Sequence, residues 1–165
     1  MKIWLIRHAK SSWSNPGKSD FDRPLNSRGK RDGPHMARWL AEQDDPATWI
    51  WSSDAARALA TAEFVREGFS AGSDQPVTAH ELYLASPELM IDVLKRTPAE
   101  IDSVAVVAHN PGTTYLLNLL TGSNVTDNVP TFGVARLQYS GSWLELGPGA
   151  CSLDLFTAPK LINTE

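Results

Sequence analysis

Cysteine is nearly absent from this chain: among 165 residues only Cys151 carries a thiol. That excludes an internal disulfide and a cysteine-rich metal site, and the thiol is expected to be buried and inert. No apolar run approaches the roughly 20 residues that a membrane helix needs. One lysine and five apolar residues precede Arg7, so neither a signal peptide nor a membrane span is expected there, and a cytoplasmic protein is the default expectation. Positive charge is not in excess either. Fifteen Lys and Arg against 19 Asp and Glu leave a net charge of −4, which removes the electrostatic case for nucleic acid or an anionic membrane as partner. The glycines form neither a P-loop nor a dinucleotide fingerprint.

What is present is ordinary globular material, 42% hydrophobic and 21% charged, enough for one domain over residues 1–165. Short apolar runs alternate with helical patterns, which predicts an α/β fold with a mostly parallel sheet. Strands are expected at Lys2–Ile6, Trp49–Trp51, Pro76–Ala79 and Val104–Ala108, the last a buried run of small or β-branched residues. Helices are expected from Ser27, as N-cap, to Glu42, with a kink or late start at Gly33-Pro34, and over Ala55–Glu67, Pro87–Lys95 and Thr113–Leu120. Asp54 or Ser53 is the expected cap of the second. Alternation through Phe132–Phe156, including Trp143, Leu144 and Leu146, suggests antiparallel strands at the sheet edge.

Chemistry concentrates where these strands end. Arg7-His8-Ala9 follows the first strand, Arg57 lies just past the second, and His109 directly follows Val104–Ala108. In a parallel sheet such positions share the carboxyl edge, where open α/β folds bind ligands. Two guanidinium groups suit phosphoryl oxygens, being permanently charged and bidentate. His8 suits a nucleophile once one ring nitrogen is held by a hydrogen bond. His109, protonated beside the phosphate, would add charge and a donor, and Glu81, just past the third strand, could protonate a leaving group. Trp13 could touch substrate from the loop beside the pocket, and Lys10 and Lys18 could add charge at its rim. His35 reads as a surface or packing residue and His80 as a neighbour of the site.

In order, Arg7-His8-Ala9, Ser52-Ser53-Asp54-Ala55-Ala56-Arg57-Ala58-Leu59-Ala60-Thr61 and Val107-Ala108-His109-Asn110-Pro111 resemble the signature segments of the histidine phosphatase superfamily, which includes the phosphoglycerate mutases. Asp22-Arg23-Pro24-Leu25 with Arg28-Gly29 resembles its segment leading into the first helix. The short length and Glu81-Leu82-Tyr83 resemble the small SixA-like branch of phosphohistidine phosphatases. The resemblance implies a three-layer α/β/α, phosphoglycerate mutase-like fold. It implies His8 as the phosphorylated nucleophile, Arg7, Arg57 and His109 as the phosphate pocket, and Glu81 as a candidate acid. A polar side chain often touches phosphate soon after the Arg-His pair in that superfamily, and here Ser14 and Asn15 are the candidates.

The expected activity is a metal-independent, cofactor-free phosphatase acting through a phosphohistidine on His8, with a phosphorylated protein or small phosphorylated molecule as partner. Lys10-Ser11-Ser12-Trp13 departs from the mutase-like pattern. Only residues 58–80 separate Arg57 from Glu81, and 82–108 separate Glu81 from His109, which leaves little chain for a lid. An open pocket favours phosphohistidine or another exposed phosphoryl group on a protein. Alternatives on the same residues are a small-molecule phosphomonoesterase or phosphoglycerate-type mutase, and a non-catalytic phosphate-binding module. Oligomeric state is not legible.

Overall fold

The computed structural model describes residues 1–70 and 75–162. Strand β1 (Lys2–Arg7) leads through a polar loop, with a 3₁₀ turn at Asp20–Asp22, to helix α1 (Ser27–Ala41). Then follow β2 (Trp49–Ser52), α2 (Ala56–Phe69), β3 (Val77–Thr78) and α3 (Pro87–Leu94). The chain closes with β4 (Ser103–Ala108), α4 (Gly112–Thr121), β5 (Val134–Tyr139) and β6 (Cys151–Thr157). These strands form one sheet in the order β3-β2-β4-β1-β5-β6. The first four are parallel, and β5 and β6 run antiparallel as the expected edge.

Each side of the sheet has its own apolar layer, because successive strand side chains point to opposite faces. Ile3 and Leu5 of β1 join Val104 and Val106 beneath Met90, Leu94, Leu116 and Leu120 of α3 and α4. Trp4 and Ile6 join Ala105 and Val107 against Met36 and Leu40 of α1 and Ala58, Val65 and Phe69 of α2. The result is the three-layer α/β/α arrangement. All six residues of β4 are buried, which suits a strand lying between two parallel neighbours with helices on both faces. Among the described residues no helix is long and apolar enough to cross a membrane. Cys151 is buried, and burial raises its thiol pKa to about 11.

Four local expectations are corrected. Asn26, not Ser27, caps α1, its Oδ1 accepting from Gly29 N at 2.9 Å. Pro34 does not delay that helix, which begins at Ser27 and runs through it. It and Lys30 are exposed, so the carbonyl deprived of a partner by the missing N–H faces water. Gly33 beside it is buried under the Phe64 ring, which a Cβ would meet at 2.3 Å. Trp143, Leu144 and Leu146 are not in a strand. Trp143–Glu145 is a 3₁₀ turn in which Trp143 and Leu146, three apart, are buried while Leu144 is exposed, and the Trp143 indole donates to Ile101 O at 2.9 Å. Neither Asp54 nor Ser53 caps α2: its N-cap is Ala55, which has no side-chain cap, and Ser53 Oγ accepts from Ala55 N just ahead of the helix.

The start of α4 is set against the segment before α3. A Cβ on Gly112 would lie 2.1 Å from the Ala85 carbonyl oxygen, a backbone atom that cannot swing away. Gly112→Ala is therefore expected to destabilise the fold by about 1–3 kcal/mol through overpacking. Thermal unfolding checks this, and an unchanged melting temperature would refute the close approach.

Candidate functional site

The carboxyl ends of β1, β2 and β4 deliver their side chains to one cleft of about 250 Å³, lined by Arg7, His8, Arg57 and His109 together with Asp20 and Arg23. Lys10, Ser11, Trp13, Leu84, Asn110 and Thr131 complete its wall and rim. The four residues expected to converge do so. The backbone places them: His8 N donates to Ala108 O on β4, and Phe132 N, just before β5, donates to His8 O. Ser53 N donates to Val107 O, which ties the end of β2 to the same point.

His8 is 7% exposed, and its Nδ1 lies 2.7 Å from the Ala9 carbonyl oxygen. A carbonyl only accepts, so Nδ1 holds the ring proton and Nε2 holds the lone pair. Arg57 Nε donates to that Nε2 at 3.3 Å. The Ala9 peptide is itself anchored: its N–H donates to Thr61 Oγ1 at 2.9 Å, and Thr61 Oγ1 donates to Arg57 O at 2.8 Å. Burial first, then the charges of Arg57, Arg7 and Arg23, lower the His8 pKa to about 4, with the Ala9 hydrogen bond opposing. At pH 7 its imidazole is neutral, and its Nε2 lone pair accepts the Arg57 N–H in place of a phosphoryl group.

His109, 2% exposed, is also neutral, with burial and then the neighbouring His8 and Arg57 lowering its pKa to about 3. Buried beside arginines and with no phosphoryl group against it, His109 holds no charge of its own; the protonated form was expected for the phosphate-bound site. Its Nε2 lies 2.8 Å from Ser53 Oγ, which accepts from Ala55 N. With the Ser53 hydroxyl donating to Nε2, the ring proton is on Nδ1. That Nδ1 and Arg7 Nε are buried atoms without a hydrogen-bond partner among the described residues. Arg7 Nη1 meanwhile donates to Val129 O. Two orphan donors beside Arg57 suit an anion rich in acceptor oxygens.

The cleft also contains residues that no role was read for. Asp20 receives Arg57 Nη2 and the Tyr83 hydroxyl on Oδ2, and Arg23 Nε and Nη2 on Oδ1, while Arg57 Nη1 donates to its backbone oxygen. Its carboxyl is held at about 2, foremost by the Tyr83 hydroxyl, then by Arg23 and Arg57 against an opposing burial effect. Arg23 donates to Ser11 Oγ at 2.6 Å and carries its guanidinium 3.4 Å from the centre of the Trp13 ring, which is 73% exposed. The signal for Asp20 and Arg23 was their spacing, since a carboxylate three residues before an arginine can pair with it across one turn.

Other expected residues lie outside. Glu81 pairs with Arg96 at 3.0 Å, half exposed, because the turn His80–Leu82 buries Leu82 and turns its neighbour outward. Ser14 and Asn15 are exposed in an adjoining depression with Lys18. Local bonds hold them there, Ser14 to Ser12 and the Asn15 side chain to Gly17 N. His80 pairs with Asp54, and His35 Nε2 lies 3.2 Å from Pro159 O.

The sequence profile of the Histidine phosphatase superfamily (branch 1) matches residues 3–82. An uncharacterised protein of Mycobacterium tuberculosis is 32% identical over 94% of this chain and 100% of its own length. A provisionally assigned phosphohistidine phosphatase SixA from Agrobacterium tumefaciens superposes with a TM-score of 0.82 at 29% identity, over 96% of this chain and 97% of that one. A second provisional SixA, from Nakamurella multipartitia, gives 0.82 at 23% identity, over 96% and 95%, a likeness of fold.

Both histidines have folded pKa values below the 6.5 of a free imidazole side chain. The unfolded chain therefore binds more protons than the folded one in that interval, and stability falls as pH drops from about 6.5 towards 4. Chemical denaturation across that range should show the decline, and a His8→Gln variant should show a shallower one. Identical slopes would refute the neutral, buried His8. Glu81→Gln should retain phosphatase turnover within a small factor; a loss of about 10²–10⁴, the worth of a general acid, would return it to the reaction.

Proposed function

Because the chain belongs to the histidine phosphatase superfamily, as a SixA-like member, and is a phosphatase, we propose that it hydrolyses phosphohistidine or another exposed phosphoryl group on proteins through a phosphohistidine formed on His8. It does so as one domain over residues 1–165, without a metal ion.

In the first displacement His8 Nε2 attacks phosphorus and the leaving group departs. In the second, water attacks the phosphohistidine and releases phosphate. Arg7, Arg57 and His109 bind the phosphoryl oxygens in both steps, so that fixed cations and donors stabilise the spreading charge. A phosphoryl dianion also opposes the effects that keep His109 neutral and draws a proton to it, which supplies the extra positive charge when it is useful. Nδ1 keeps its proton throughout, donated to the Ala9 carbonyl, so Nε2 is the atom that bonds to phosphorus and is later released.

The observation that carries the reading is the pairing of Nδ1 with Ala9 O and of Nε2 with Arg57 Nε, which presents a neutral nucleophile to a cationic neighbour. The choice of a protein-borne phosphoryl group is supported by the exposed rim residues Trp13 and Leu84 around a small cleft. It is supported too by the likeness to proteins assigned as phosphohistidine phosphatases.

Phosphate release from a phosphohistidine peptide and an aryl phosphate, with chelator present, tests this. Wild type should turn over both, faster on the phosphohistidine, and give an acid-labile phosphoenzyme. His8→Ala should form none and show no turnover, and Arg57→Ala should lose about 10²–10³ in kcat, as for an oxyanion donor. Activity in His8→Ala, or complete loss with chelator, would overturn the proposal.

A further inference from the structure

The net charge of −4 is unevenly divided. Residues 1–40 carry nine Lys and Arg against three Asp, a net of +6, which leaves −10 for residues 41–165. The fold turns this division along the chain into one along the strands. Asp45 and Asp102 lie at the amino edge of the sheet, their carbonyls accepting from the Trp4 indole and from Lys2 N, with Glu42 and Asp44 exposed nearby. Cations gather instead around the cleft at the carboxyl edge. Lys10 stands on its rim, and the Lys10 carbonyl packs against the first turn of α1, where a Cβ on Gly29 would meet it at 2.2 Å. Lys18 lines the adjoining depression of about 200 Å³, which shares Arg23 with the cleft as a common wall. Arg28 and Lys160 line a second depression of about 280 Å³ with Pro130 and Leu161, and Pro130 adjoins Thr131 of the cleft wall.

These charges are not neutralised within the molecule. Lys10, Lys18, Lys30, Arg31 and Lys160 are exposed, and none makes an ion pair among the described residues. They do not serve the helix either. The first turn of α1 contains no acid, and Arg28, Lys30 and Arg31 crowd the end at which the macrodipole disfavours cations. Across the cleft the charges are already matched, Asp54 with His80 and Glu81 with Arg96. The unmatched field is therefore one-sided, over the loop after β1, the start of α1 and the turn Pro159–Leu161.

Resting on the proposed hydrolysis of protein-borne phosphoryl groups, we infer that this cationic shoulder docks an acidic surface of the partner protein beside its phosphorylated residue. A phosphoryl group seated in the cleft brings the side chains around it over the two depressions. Each offers a pair of cations to a partner carboxylate, Lys18 with Arg23 and Arg28 with Lys160. Contacts of this kind select partners and speed their encounter without touching the reacting atoms. The acidic amino edge repels the same partner, so the field also orients it. Recognition is then divided between two sets of groups: those in the cleft meet the phosphoryl oxygens, and those of the shoulder meet what surrounds them.

Three phosphohistidine peptides that differ only in flanking Glu, Gln or Arg test this, with an aryl phosphate as the substrate that has no flank. For wild type at low salt, kcat/KM should fall in the order Glu, Gln, Arg, with about tenfold or more between Glu and Gln, the lower end of what a cleft lined by one sign of charge gives. The advantage should shrink towards 1 M salt, where the Debye length is about 3 Å. Lys18→Glu/Lys160→Glu should abolish or reverse the order and leave kcat on the aryl phosphate unchanged. Arg38→Glu, a reversal in the last turn of α1, should keep the order. Equal kcat/KM for the three peptides, beside His8-dependent turnover of the aryl phosphate, would overturn this inference alone. So would an order that Lys18→Glu/Lys160→Glu leaves intact. Self-association in sedimentation that the same double variant abolishes would assign the shoulder to a second copy of the chain and overturn it too. Binding of the three peptides to His8→Ala reads docking apart from turnover. If no substrate shows His8-dependent turnover, the proposed cycle fails; the Glu, Gln, Arg order in binding would then uphold the docking surface, and equal binding would overturn it as well.

Discussion

The carbonyl oxygen of Ala9 accepts the Nδ1 proton of His8, and the chemistry of the cleft depends on that one bond. It selects the tautomer, fixes the plane of the ring and turns the lone pair of Nε2 towards Arg57. The residue that makes this bond is itself held, its N–H donating to Thr61 from the helix that carries Arg57. Nucleophile and cation are thereby referenced to the same turn of α2. The parallel strands deliver both to one edge, so a displacement of β1 relative to β2 would separate them. The short bonds from His8 N to Ala108 O and from Ser53 N to Val107 O, both reaching β4, resist that displacement.

A cationic cleft on a chain of net charge −4 has to be stabilised locally. Arg57 and Arg23 are 2% and 7% exposed, and burying guanidinium groups together is unfavourable unless a counter-charge accompanies them. Asp20 is that counter-charge. It offsets the repulsion between Arg23 and Arg57 while leaving Arg7 Nε and His109 Nδ1 without partners. The neutral state of both histidines has the same origin, since burial beside arginines penalises any further positive charge. Nucleophilicity and phosphate affinity therefore come from a single electrostatic arrangement.

The layers and the position of the site were legible in the sequence because they rest on periodicity. Ile3-Trp4-Leu5-Ile6 and Val104–Ala108 are apolar without interruption, as strands covered on both faces must be, and the residues after them had only one edge to go to. The tail was harder. Trp143 and Leu146 are three residues apart, and over so short a stretch that spacing is easily taken for strand alternation. The loop after β1 was harder still, since polar side chains there can bond to one another or to the cleft. Ser14 and Asn15 took local partners, whereas Asp20 and Arg23 turned inward, and that choice depends on Tyr83 and Arg57, far away in sequence. Charge state was beyond sequence reading as well, because the proton on His109 is decided by burial.

The pairing of β1 with β4 and β5 also has a consequence for biogenesis. Lys2 is registered with Ser103 and Gln138, so β1 is synthesised roughly a hundred residues ahead of the earlier of its two neighbours. Through that interval Ile3, Trp4, Leu5 and Ile6, all buried in the finished sheet, have no partner strand from this chain. Closure is then abrupt. When β4 and β5 arrive on either side of β1, the sheet becomes continuous and its reactive edge is assembled in the same event.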